Sequence, residues 1–439
     1  MKAGGEKRGR DTIYALASGR GRAGVAVIRV SGPDADGALR AITRTDLPNE
    51  RAAVLRTLFN LSTNEKIDTA LILRFVSPRS YTGEDIIEFQ VHGGYAVVSA
   101  LLDQLKTLSG LRLAEPGEFT RRAVENGHLD ITQAEAVADL VDAETEAQHR
   151  QAVYQYNGGL SRLYEGWRSR LISSAAWIEA TIDFPDEQIP ADALSTSKAE
   201  IAAIGTEMQA HLNDGRRGEI LRDGFHVAVI GSPNAGKSSL VNALAQRDVA
   251  IVSDIPGTTR DVLEVRLNLK GYPVILSDTA GLREARDSIE AEGIRRAQAR
   301  AAAADLRLLV VDGLTERDEG LRGEIEVRSK ADLVRNREDG SRLWISVRTG
   351  EGIAQLIDLL SKFTEQRMDY GDSPTLSRAR HRIGAEKALK HLQDALEISA
   401  PELAAEHLRM ALREIGKLTG RVNLDELLDV IFRDFCLGK

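Results

Sequence analysis

The stretch His226-Val227-Ala228-Val229-Ile230-Gly231-Ser232-Pro233-Asn234-Ala235-Gly236-Lys237-Ser238-Ser239 decides what fold sits at the centre of this 439-residue chain. It opens as an apolar run of strand size and continues as Gly-x-x-x-x-Gly-Lys-Ser ahead of a helical pattern. In that setting successive backbone N–H groups wrap phosphates at a helix N-terminus, and glycine permits the close approach. Lys237 then reaches the β- and γ-phosphates, and the Ser238 hydroxyl binds Mg²⁺. A chance glycine-rich turn is the alternative, but too many constraints coincide for it.

Outward from this loop, strand-sized runs at 226–230, 274–276 and 306–311 are each followed by a loop and a helical stretch. That alternation predicts a parallel sheet covered by helices. Toward the N-terminus, Val25–Val30 reads as a strand, and a mixed strand–turn stretch runs through Leu71–Phe75 and on to Ile86–Phe89, ending at His92-Gly93-Gly94. From Ile131 the spacing turns helical through Ala134, Val137, Leu140 and Val141, and on through Leu171 and Ile178 to a break at Phe184-Pro185-Asp186. Past Gly371-Asp372-Ser373-Pro374 helical spacing returns. The simplest reading is an α/β module inserted in a helical domain, behind an N-terminal α/β or α+β domain.

Composition narrows the function. Lys and Arg number 58 against 66 Asp and Glu, a net charge of −8, so bulk charge cannot bind nucleic acid and any such contact is a local patch. Apolar residues at 42% and charged residues at 28% fit a globular chain. The apolar runs fall far short of the roughly 18 residues of a membrane span. The start, Met1-Lys2-Ala3-Gly4-Gly5-Glu6, lacks the apolar core of a secretory signal. A single cysteine, Cys436, excludes an intrachain disulfide and a Cys-cluster zinc site.

The downstream segments choose the nucleotide. Asp278-Thr279-Ala280-Gly281 follows the 274–276 strand as the Asp-x-x-Gly element of GTPases does, and Gly257-Thr258-Thr259-Arg260-Asp261 lies where a switch supplies Thr259 to Mg²⁺. Ser329-Lys330-Ala331-Asp332 stands where Asn-Lys-x-Asp is expected: Asp332 accepts the guanine N–H groups, the Lys330 stem covers the ring, and Ser329 shortens or loses one hydrogen bond. Ser346-Val347-Arg348 would form the last base-contacting loop. Leu282 occupies the place of the glutamine that orients the attacking water in Ras-like enzymes, so another group must do so. Spacing alone reads Asp287-Ser288-Ile289-Glu290 as a capping-box-like helix start.

Motifs along nearly the whole chain resemble the MnmE (TrmE) family of tRNA-modification GTPases. They include Gly19-Arg20-Gly21-Arg22-Ala23-Gly24-Val25, Ile28-Arg29-Val30-Ser31-Gly32, Tyr81-Thr82-Gly83-Glu84-Asp85 and Glu115-Pro116-Gly117-Glu118-Phe119-Thr120. Further matches are Ile182-Asp183-Phe184-Pro185-Asp186-Glu187, Asp278–Arg283 and the terminal Phe435-Cys436-Leu437-Gly438-Lys439. The resemblance implies an α/β and α multidomain fold: a folate-binding and dimerising α/β domain at 1–125, a discontinuous helical domain at 126–220 and 372–439, and an inserted Ras-like P-loop G domain at 221–371 with a mostly parallel sheet.

It also implies a cytoplasmic homodimer that binds GTP through Asn234, Ala235, Gly236, Lys237, Ser238, Ser239, Ser253, Thr258, Thr259, Asp278, Thr279, Ala280, Gly281, Ser329, Lys330, Asp332, Ser346, Val347 and Arg348. Mg²⁺ falls to Ser238 and Thr259, and K⁺ to Asn234, Ser253, Ile255 and Thr258, with Glu290 polarising the water. K⁺ replaces an arginine finger. A tetrahydrofolate derivative (5-formyl- or 5,10-methylene-) maps to Arg29, Glu88, His128 and Lys439, where His128 replaces the family's lysine. The implied partners are tRNA and the FAD-carrying flavoprotein MnmG, in a heterotetramer or larger complex that adds a carboxymethylaminomethyl or aminomethyl group at C5 of the wobble uridine. Cys436 sits near the presumed modification centre, although a lone cysteine also reads as a small apolar residue. Arg378, Arg380, Arg382, Lys387 and Lys390 suit either tRNA phosphates or a solvated helix face. The rival readings are a GTP-dependent RNA-binding switch in ribosome assembly and a P-loop ATPase scaffold.

Overall fold

A computed structural model describes residues 11–184, 190–251, 264–278, 302–315, 322–335, 337, 342–368, 375–421, 431 and 438. Two compact units emerge, one of 1–138 with 416–439 and one of 139–415.

The first unit is built on a sheet of strands β1 (Thr12–Leu16), β2 (Ala23–Ser31), β3 (Val54–Phe59), β4 (Lys66–Phe75), β5 (Ile86–Gly93) and β6 (Leu111–Leu113) in the order β3-β4-β5-β2-β1-β6. All neighbours are antiparallel except β1 and β6. Strand period two sorts the faces. Ile28, Val30, Ile87, Phe89 and Val91 point to one side, under Leu39 and Ile42 of α1 (Ala35–Thr43) and Leu101 and Leu105 of α2 (Tyr95–Thr107). Ile13 and Ala15 face the other side with Phe119 of α3 (Glu118–Glu125) and Tyr81. Arg29 pairs in register with Ala15 and Glu88, which puts its side chain on that second face. Helix α4 (Ile131–Asp142) begins in this unit, where Ile131 and Ala134 pack with Val124 and Ile431.

In the second unit a parallel sheet carries β7 (Phe225–Ile230), β9 (Tyr272–Asp278), β10 (Leu306–Asp312), β11 (Ile325–Ser329) and β12 (Leu343–Trp344), with β8 (Glu264–Leu269) antiparallel at one edge. The order is β12-β11-β10-β7-β9-β8. The strands expected at 226–230, 274–276 and 306–311 all form, with Val227, Val229, Leu276, Leu308 and Val310 buried inside the sheet. The edge strand β8, with Glu264, Arg266 and Asn268 alternating along it, is not among the expected strands, nor are β1, β3 and β6 of the first unit. Lys270 and Gly271, both at positive φ (52° and 89°), close the β8–β9 hairpin as a two-residue turn. Helices α9 (Lys237–Ala245) and α10 (Ile353–Met368) bring Leu240, Leu244, Leu356 and Leu360 onto Val229, Leu276, Val310 and Val327.

The helical portion holds α5 (Glu146–Tyr156), α6 (Gly159–Asp183), α7 (Ala191–Leu212), α8 (Arg217–Asp223), α11 (Ala379–Glu397) and α12 (Pro401–Thr419). Trp167 of α6 is buried and donates its indole N–H to Glu207 of α7 at 2.9 Å. Thr145 and Gln148 form a reciprocal capping box that starts α5. Next to it, the Ala147 N–H donates to the Gly271 carbonyl of the hairpin turn at 3.0 Å. Arg382 spans Asp214 at 2.7 Å and Glu219 at 3.0 Å, and Arg378 lies 2.7 Å from Asp139. These two arginines therefore tie the helical segments together. Lys387 and Lys390, both exposed, are the members of that basic group that fit a solvated face.

Candidate functional site

The sheet reverses its winding at β7, with β10 on one side and β9 on the other, and the Gly231–Lys237 loop leaves the carboxyl end of that strand. Such a switch point is where parallel sheets hold ligands. Gly231 (φ 154°) is irreplaceable by steric demand, since an added Cβ would sit 2.2 Å from the Val310 carbonyl oxygen. Asn234 (φ 62°) and Gly236 (φ 93°) also take the left-handed region, which turns the backbone N–H groups of the loop inward. Lys237 is buried, and its ammonium donates to the carbonyls of Gly231 at 3.0 Å and Ser232 at 2.8 Å. The Ser238 hydroxyl donates to the Asp278 carboxylate, and Asp278 is buried at the end of β9. The hydroxyl and carboxylate expected to serve Mg²⁺ are thus already in contact, a donor set of hard oxygens that fits that ion. Ser239 is exposed on the first turn of α9.

The base-reading elements converge on the same end of the sheet. Ser329 is buried, and its hydroxyl donates to the Ala235 carbonyl at 2.7 Å. Ser329 thereby ties β11 to the phosphate loop. Lys330 (φ 58°) swings its ammonium to Asp312 at 2.6 Å. Burial alone would raise the Asp312 carboxyl, but that ammonium and the Leu314 N–H hold it below its ordinary value. Asp332 accepts from the Ser346 hydroxyl at 2.7 Å, so the two loops expected to contact the base are joined, while Val347 and Arg348 stay exposed. Asp312 went unnoticed in the sequence, because nothing in a strand-terminal Asp marks it as the partner of a lysine on the next strand. Ser253, Ile255, Thr258, Thr259, Thr279, Ala280, Gly281 and Glu290 lie outside the described residues.

In the first unit Arg29 Nε donates to Glu88 Oε1 at 2.9 Å across β2 and β5. Its guanidinium lies 5.3 Å from the Tyr81 ring centroid and 5.6 Å from that of Phe119. Around this pair runs a chain of charges: Ser31 donates to Glu84 at 2.8 Å, Arg122 bridges Glu84 and Glu118 at 3.0 Å each, and Arg112 reaches Glu118 at 2.6 Å. Burial would raise the Glu118 carboxyl, but Arg112, the Glu115 N–H and Arg122 hold it below 4.5. Tyr81 and Phe119 belong to motifs already noted in the sequence, yet their stacking on Arg29 is visible only in three dimensions. His128 is exposed and covers Gly83 (φ 78°), where an added Cβ would lie 2.7 Å from its ring. Lys439 and Cys436 lie outside the described residues; Gly438 sits against β1, an added Cβ being 2.1 Å from the Leu16 carbonyl oxygen.

A family model described as "MnmE helical domain" matches residues 131–436, and one described as "GTP-binding protein TrmE N-terminus" matches residues 12–128. A protein of Parvibaculum lavamentivorans named tRNA modification GTPase MnmE is 51% identical over 98% of this chain and 100% of its own length. Proteins of the same name from Rhodospirillum rubrum (50% identical, 98% of this chain, 99% of theirs) and Paramagnetospirillum magneticum (49%, 98% and 100%) match likewise. Among the described residues no helix is long and apolar enough to cross a membrane.

Proposed function

The chain belongs to the MnmE/TrmE family of tRNA-modification GTPases, and on that premise we propose that it is a K⁺-stimulated, Mg²⁺-dependent GTPase that, with the flavoprotein MnmG, modifies C5 of the wobble uridine with a tetrahydrofolate-borne carbon. We read the domains as 1–125, 126–220 with 372–439, and 221–371. The observation that carries the GTPase half is the convergence of Lys237, Ser238 and Asp278 with Ser329, Lys330 and Asp332 at one end of the sheet.

In this reading Lys237 exchanges two loop carbonyls for phosphate oxygens when GTP arrives. Asp332, oriented by Ser346, accepts the guanine N–H groups. Ser238 and Thr259 hold Mg²⁺ with Asp278 behind them; the ion, when bound, offsets phosphate charge. Asn234 supplies one side-chain ligand for K⁺, with Ser253, Ile255 and Thr258 completing the set. Glu290 takes over the water-orienting task that Leu282 cannot perform. Support for a one-carbon site comes from the Arg29–Glu88 pair: a carboxylate beside a stacked guanidinium suits the paired N–H donors and flat face of a pterin. The homodimer, the FAD on MnmG, the tRNA substrate and a cytoplasmic location complete the proposal.

The test is nucleoside analysis of tRNA from cells that carry only a Glu290→Ala chain, paired with hydrolysis assays in KCl and in NaCl. The expected outcome is retained GTP binding, hydrolysis lowered by roughly 10²–10⁴-fold, slow turnover in NaCl and an unmodified wobble uridine. Normal turnover by the variant would remove Glu290 from its role, and equal rates in the two salts would remove K⁺. Normal wobble uridine in cells without the chain would favour the ribosome-assembly reading.

A further inference from the structure

Helices α11 and α12 form a hairpin joined by Ile398-Ser399-Ala400. His391 and Asp394, three apart, share one face of α11, and His407 of α12 meets them there. The Nδ1 atoms of His391 and His407 lie 3.3 Å apart. Asp394 Oδ2 is 3.7 Å from the same His407 Nδ1, and all three atoms fall within 4.8 Å of one another. None of the three has a part in the GTPase or one-carbon chemistry above.

A hydrogen-bonded trio explains this arrangement poorly. His407 Nδ1 faces both a nitrogen and a carboxylate, and a single N–H serves only one of them well. A divalent cation takes lone pairs from all three at once. Tetrahedral zinc with bonds of about 2.0–2.1 Å to nitrogen sets two such nitrogens roughly 3.3 Å apart. Asp394 needs only a small rotation to join. Two imidazoles and one carboxylate suit Zn²⁺ and its neighbours in the transition series, and not Mg²⁺ or Ca²⁺. The side chains of Asp394 and His407 are 30% and 26% exposed, so the cation has access and a position left for water. The nearest competing cation, Lys390, stands 3.6 Å from Asp394 on a 74% exposed side chain that is free to turn away.

We propose that His391, Asp394 and His407 bind a zinc-class divalent cation that clips α11 to α12. The experiment uses the full-length chain, stripped with EDTA and free of nucleotide, titrated with Zn²⁺ against a fluorescent chelator. Wild type is expected to bind one Zn²⁺ more per chain than the His391→Ala/His407→Ala double variant, and Asp394→Asn to weaken that site at least tenfold. Saturating Zn²⁺ should raise the Tm of the wild type more than that of the double variant, while GTP hydrolysis in Mg²⁺ stays the same in both. Histidine NMR of the wild type guards against a variant that misfolds: of the eight histidines, the His391 and His407 ring signals should move together at the first equivalent. Identical stoichiometry and affinity in wild type and double variant, or unmoved His391 and His407 signals, overturns the proposal.

Discussion

The two sheets assemble their polar clusters in opposite ways. Beside the parallel sheet, the phosphate loop is mainly a backbone device: Gly231, Asn234 and Gly236 take positive φ and aim main-chain groups, and Lys237 and Ser238 add side chains. On the first unit's sheet, the cluster around Arg29 and Glu88, which we propose takes the pterin, is made of side chains carried by different strands, with Phe119 of α3 against the Arg29 guanidinium. A backbone device depends on a run of adjacent residues and tolerates little at each glycine. A side-chain device depends on strand register, so its members are far apart in the chain and each tolerates conservative change.

Substitutions at four positions sharpen or break that contrast, from the largest expected effect to the smallest. Lys237→Ala removes the one charged side chain of the backbone device. GDP and GTP affinity should fall roughly a hundredfold, about 3 kcal/mol, in a fluorescent-nucleotide titration. An affinity within threefold of wild type would mean that the loop binds by backbone alone. Glu118→Gln should cost the first unit roughly 2 kcal/mol in urea unfolding at pH 7, because Arg112 and Arg122 lose a charged acceptor. Here the sign is fixed by the depressed carboxyl. Its stabilisation is full above about pH 4.5 and is lost as pH falls through the lower folded value, so wild type and variant should converge in acid. A gap that persists at low pH would assign the loss to shape instead of charge.

Next, Arg29→Ala should weaken tetrahydrofolate binding roughly tenfold, about 1.4 kcal/mol, and leave nucleotide affinity unchanged. Arg29→Lys should recover part of it, whereas a backbone device would show no such grading. Ser329→Ala is the mildest. It leaves the Ala235 carbonyl without its hydroxyl partner, about 1 kcal/mol, and GDP affinity should drop a few-fold. Ser329→Asn should match or exceed wild type.

The same contrast explains what could be read before any coordinates. The phosphate loop, its strand and its helix were legible because their constraints are consecutive. The inward strands at 226–230 and 306–311 were legible because a parallel strand buried on both faces is a nearly continuous apolar run, broken here only by His226 and Arg307 near the strand starts. Edge strand β8 escaped because its outer residues are polar, and the hairpin turn Lys270-Gly271 lacks the Asn-Gly signature. Arg29 and Glu88 came to attention only through family likeness. Nothing local distinguishes Arg29 from a solvated strand residue until β5 and α3 are laid beside it. Arg378 and Arg382 show the converse error, since charge in a helix suggests an outer surface, and their acidic partners at 139, 214 and 219 are distant in the chain.

Strand β9 is anchored at both ends. Asp278 receives the Ser238 hydroxyl at one end, and at the other Gly271 accepts the N–H of Ala147. Seven residues of extended chain make a stiff rod of about 23 Å between them. Ala147 is therefore tied, one strand length away, to the opposite end of the strand whose last residue meets the phosphate loop.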